Sequence, residues 1–101
     1  MPKLDDYFGI RVYFYAGDHQ PIHVHGLFQG RESNAEILVE NGEIQRIRFV
    51  RVKDAIPLPP QKQRDFEALV AHEAENIVRS WKEFEEHGTH PKVKKITRKI
   101  K

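Results

Sequence analysis

The chain has 101 residues and no cysteine, which excludes disulfides and thiolate metal ligands and leaves room for one domain with one core. Lys and Arg outnumber Asp and Glu by 17 to 15, but six basic residues and no acidic one fall in residues 92–101 (Lys92, Lys94, Lys95, Arg98, Lys99, Lys101), so the body is mildly acidic and the basic character belongs to the tail. No run is long and apolar enough for a transmembrane helix, and Met1 to Asp6 lacks the apolar stretch of a secretory signal, so the expectation is a cytoplasmic protein that does not engage a membrane.

Gly9 to Tyr15 alternates, with Ile10, Val12 and Phe14 on one side and Arg11, Tyr13 and Tyr15 on the other, which predicts a half-buried strand. Ala16-Gly17-Asp18 reads as a turn, and Pro21 stiffens the entry to a second strand over 22–28. In that strand Ile22, Val24 and Phe28 share one face, and His23, His25 and Leu27 the other. Gln29-Gly30 reads as a turn before a third strand over 33–40, with Ala35, Ile37 and Val39 inward. Asn41-Gly42 is a strong hairpin signal. It leads into a fourth strand over 43–52, with Ile47 and Phe49 inward and Arg46 and Arg48 outward.

The prolines of Ile56-Pro57-Leu58-Pro59-Pro60 end the strand region, and a helix is expected from about Pro60. Its apolar stripe is Phe66, Leu69, Val70, Ala74, Ile77, Val78, Trp81 and Phe84, and Gly88 suits its C-cap. A short strand is expected over 93–97. The predicted architecture is α+β, one domain over 1–101: a mainly antiparallel meander of about four strands packed on one long C-terminal helix. Because the helix covers a single face, Arg11, Tyr13, Tyr15, His23, His25, Arg46 and Arg48 are expected to share the other.

The densest chemistry lies in Asp18-His19-Gln20-Pro21-Ile22-His23-Val24-His25. His23 and His25 are two apart on a strand, so they point the same way with Cα atoms roughly 6.5 Å apart. His19 lies across a turn from them, and Asp18 suits the orientation of an imidazole. Three readings stand open. His19, His23 and His25 could hold a divalent metal, with Asp18 as a further ligand. Alternatively, one histidine acts as base and another as acid in RNA cleavage by its own 2′-hydroxyl, with Arg11, Arg46 and Arg48 on phosphate and Tyr13 or Tyr15 stacking a base. In the third, the cluster is a structural turn in a non-catalytic interaction domain whose contact surface is the basic tail. Trp81 is expected in the core, His72 solvated beside Glu73 and Glu75, and Glu83, Glu85 and Glu86 at a solvated helix end. No phosphate loop and no nucleophile motif around Ser33 or Ser80 is present.

The chain resembles the bacterial family of unknown function DUF4160 over nearly its whole length. The residues that carry the resemblance are Phe8-Gly9-Ile10, the signature Asp18, His19, Pro21, His23 and His25, then Phe28 and Gly30, Gly42-Glu43, a proline-led helix reaching Trp81, and Lys94-Lys95-Ile96. Ile22 departs from the pattern where many members have a second proline, and the ending is more basic than usual. Members are often encoded beside another small domain, and the pair looks like a toxin–antitoxin module. The resemblance therefore implies the toxin-like half, with RNA as target and an antitoxin-like small protein as partner. On that reading His23 and His25 form the acid–base pair, His19 is its third member, Asp18 orients them, and Arg46 and Arg48 contact phosphate.

Overall fold

The structure, a computed structural model, describes residues 3–14, 21–88 and 94–96. Its elements are β1 (Lys3–Tyr7), β2 (Ile10–Phe14), β3 (Ile22–Phe28), β4 (Arg31–Glu40), β5 (Glu43–Arg51), α1 (Pro60–His87) and β6 (Lys94–Ile96). They form one six-stranded sheet in the order β5-β4-β3-β2-β1-β6 and one long helix. Pairings from β1 through β5 are antiparallel, and β6 lies parallel to β1. The four expected strands and the helix are all present in an α+β fold. The sheet is wider than the expected meander, because β1 adds a strand that its charged sequence does not announce. The C-terminal strand, expected over 93–97, spans Lys94–Ile96 and closes the far edge.

Three hairpins close on one device. Phe8-Gly9, Gln29-Gly30 and Asn41-Gly42 are two-residue turns in which both residues have positive φ: 47° and 85°, 47° and 77°, 53° and 80°. Positive φ at both positions is the type I′ turn, whose twist matches that of the flanking strands. These turns set the register. Phe28 pairs with Arg31 and Glu40 with Glu43, so β4 begins at Arg31, two residues before the expected start. A one-residue bulge at Gln45 interrupts β5: Leu38 pairs with Arg46 and Val39 with Ile44.

One sheet face is the core. Ile10, Val12, Phe14, Ile22, Val24, Ala35 and Ile37 are buried against Phe66, Leu69, Val70, Ala74, Ile77 and Val78 of α1. Burying each large aliphatic or aromatic side chain contributes about 1.5–3 kcal/mol, which is why the helix stripe sets where α1 lies. Trp81 and Phe84 pack against this core while staying partly exposed. The chain carries no side-chain cap at the start of α1. Pro60 is the first helical residue, and the amide of Gln63 donates to the Pro59 carbonyl at 2.8 Å. At the other end Gly88 takes the left-handed cap conformation, its amide donating to the Phe84 carbonyl.

Two acidic residues on α1 are buried against the apolar-stripe expectation. Asp65 accepts from the Gln61 amide at 3.1 Å, and Glu73 accepts from His72 at 2.9 Å and Asn76 at 3.3 Å. His72 is exposed, as expected, but is tied to Glu73 rather than purely solvated. No helix among the described residues is long and apolar enough to cross a membrane.

Candidate functional site on the open sheet face

Period-two alternation sends β3 side chains to opposite faces, and Gly26 shows which face is which. A Cβ at Gly26 would stand 2.6 Å from the Phe66 ring, so this position faces α1. His25 and Leu27 beside it, and His23 beyond, therefore face away from the helix. The register then lays out rows across the open face. One row runs Tyr13, His25, Asn34, Val50 over β2 to β5. The next runs His23, Glu36, Arg48 over β3 to β5. Arg11, Leu27 and Glu32 form a third, and Leu38 with Arg46 closes the face on the far side.

Each histidine meets a glutamate from β4. The Nδ1 of His25 lies 2.6 Å from Glu32 Oε2. With Glu32 ionised, Nδ1 carries the proton and donates to the carboxylate, while Nε2 on the other side of the ring is buried. Glu32 is held from several sides. The Asn34 amide, oriented so that both its ends are satisfied, donates to the same Oε2 at 3.2 Å and to the Ser33 carbonyl at 3.1 Å. The Glu32 amide donates to the Ile56 carbonyl at 2.9 Å. The next residue pins the loop after β5 from the opposite face. Ser33 Oγ donates to Gln63 Oε1 at 2.6 Å and accepts from the Leu58 amide at 3.3 Å.

His23 is more open. Its Nδ1 is 3.8 Å from Glu36 Oε2, and Glu36 Oε1 accepts from Arg48 at 3.0 Å. The His23 side chain is 33% exposed, against 5% for His25, so solvent and ligands reach the two imidazoles unequally. A small cleft of about 190 Å³ adjoins this row, lined by Pro21, Glu36, Leu38, Arg46 and Arg48. Arg46 is exposed and makes no ion pair among the described residues.

Of the residues expected at a site, Arg11, Tyr13, His23, His25, Arg46 and Arg48 share this face, as the alternation requires. Tyr15, Asp18 and His19 lie outside the described residues, as does most of the basic tail. No group of three or more metal-competent side chains occurs among the described residues. Glu32, Asn34 and Glu36 are the contacts that reading single strands missed. The signal for them is the two-residue Gln29-Gly30 turn: once it fixes Phe28 opposite Arg31, His25 must face Asn34 and His23 must face Glu36.

The arrangement defines a class: a small α+β domain with a one-sided helix and a histidine–carboxylate–arginine face on the uncovered side of its sheet. The chain belongs to the DUF4160 family, described as a domain of unknown function, whose model matches residues 9–82. No curated protein matches the chain, and no solved structure does.

Proposed function

We propose that the open face binds RNA through its phosphates and that the chain acts on RNA there, as the toxin-like member of a two-component bacterial module. The observation that carries the reading is the row His23–Glu36–Arg48 beside Arg46. A partly exposed imidazole has its Nδ1 3.8 Å from the Glu36 carboxylate, Glu36 in turn accepts from Arg48, and Arg48 and Arg46 line a small cleft beside Glu36. Arginines on such a face suit phosphate by charge and by their forked donors. Tyr13 and Arg11 extend the same face across β2 and suit stacking and a further phosphate. The toxin-like role rests on the family resemblance alone.

The chemistry proceeds without an outside nucleophile. His23 takes the proton from a ribose 2′-hydroxyl, whose oxygen attacks the adjacent phosphorus. The 5′-oxygen leaves with a proton from a second acid, giving a 2′,3′-cyclic phosphate and a 5′-hydroxyl. Arg46 and Arg48 offset the charge that grows on the phosphoryl oxygens. His25 is nearly closed to solvent and held by Glu32, so its role here is to order the face rather than to touch substrate. The second proton-transfer group of this reading is then His19, with Asp18 as its orienter.

The test is cleavage of mixed RNA by the purified chain, with and without chelator, beside His23→Ala checked for folding. Chelator-resistant cleavage that leaves cyclic phosphate ends, and that falls by about 10²–10⁴-fold in His23→Ala, supports the proposal. Cleavage that chelator abolishes and metal restores moves the site to a metal centre built on the same histidines. A chain that neither cleaves nor binds RNA sinks the reading and leaves an interaction domain.

A further inference from the structure

We infer that the outer edge of β5 is a docking site for an extended acidic segment of a partner protein, which adds a strand to the sheet. The inference does not depend on the RNA reading. In the sheet order β5 is terminal, and among the described residues no strand pairs with its outer side. An edge strand of this length presents a row of main-chain donors and acceptors that another strand can satisfy. The opposite edge of the sheet ends instead on the three-residue β6.

Two features choose the occupant. The first is charge. Along Glu43–Arg51 the strand holds Arg46, Arg48 and Arg51 against the single acid Glu43 at its start. Arg46 and Arg48 project to the open face, so an added strand meets them with every second side chain. A second copy of β5 would set arginine against arginine, and the bulge at Gln45 further distorts a symmetric pairing. Acidic residues at alternate positions fit. The second feature is the space on the helix side. Phe49 stays 36% exposed although its ring packs edge-on to the buried Phe66 at 6.2 Å. A cleft of about 380 Å³ opens between β5 and the start of α1, lined by Phe49, Pro57, Leu58, Pro60 and Glu67 among others. A larger one of about 590 Å³ opens between the start of β5 and the later turns of α1, where Ile44 and Val78 stand among the charged Glu43, Glu75, Arg79 and Lys82. The side chains of an added strand that face α1 would enter these clefts, and apolar ones would cover Phe49 and Ile44. The partner segment therefore alternates acidic with apolar residues.

The probe is a capped nine-residue peptide alternating glutamate with valine, matched to the length of β5, titrated into the full chain. A lysine–valine peptide of the same length serves as control. Binding is followed by calorimetry and by hydrogen exchange of backbone amides. The expected result is binding of the glutamate peptide with new protection confined to β5, and little binding of the lysine peptide. Arg46→Glu together with Arg48→Glu weakens the glutamate peptide by about tenfold or more and admits the lysine peptide. Should that double variant misfold, Arg46→Glu alone reads the same effect, because Arg46 is exposed and makes no ion pair among the described residues. The inference is overturned by failure of the wild-type chain to bind the glutamate peptide, by equal binding of both peptides, by protection away from β5, or by sedimentation showing copies of the chain paired through β5.

Discussion

Gly26 occupies the point where Phe66 comes down onto the sheet, and it shows how a residue without chemistry sets the site. Any Cβ there meets the ring of a fully buried phenylalanine, flanked by core on every side. Gly26→Ala is expected to push α1 from the sheet and lower unfolding stability by about 1–3 kcal/mol, measured by denaturant melting. An unchanged midpoint would mean that Phe66 has room to turn away. His25 sits one residue earlier, so the same displacement is felt at the histidine row. Its own partner, Glu32, is likewise invisible in a list of reactive residues, because a glutamate on an alternating strand reads as a solvated side chain. Glu73 and Asp65 teach the same lesson on α1, where spacing alone counts them as surface, yet both are buried and hydrogen-bonded.

At the scale of elements, the β3–β4 hairpin decides which groups meet. Its turn holds Gln29 at φ 47°, a left-handed conformation that asparagine tolerates better than glutamine does. Gln29→Asn is therefore expected to stabilise the chain by a few tenths to about 1 kcal/mol, seen as a raised thermal midpoint with the site intact. A lowered midpoint would show that the exposed Gln29 side chain makes a contact worth more than the relief. Asn41-Gly42 was legible as a hairpin because its residues are the ones that positive φ favours. Phe8-Gly9 was not, because phenylalanine rarely adopts that conformation, and β1 went unseen with it. The register of β4 was half legible: the turn at Gln29-Gly30 could be seen, but the pairing it dictates had to be followed through to reach Glu36 and Glu32.

Across the whole molecule the chain divides its two sheet faces between packing and charge. The open face sets Arg11, Arg46 and Arg48 against Glu32 and Glu36, with two histidines between them. If RNA engages all three arginines, the logarithm of affinity falls with the logarithm of salt concentration with a slope of about −2. A slope near zero in a filter-binding series would show that phosphate contacts do not carry the interaction. The alternation of strands, the stripe of α1 and the hairpin at Asn41-Gly42 followed from sequence alone. They depend on periods of two and about 3.6 residues and on local backbone preference, which a chain carries wherever it folds. The pairing of His25 with Glu32 and of His23 with Glu36, the unequal exposure of the two imidazoles, and the position of β5 at the sheet edge were decided only by tertiary structure. They depend on which strands become neighbours and in what order, and strand order is a property of the assembled sheet rather than of any segment in it.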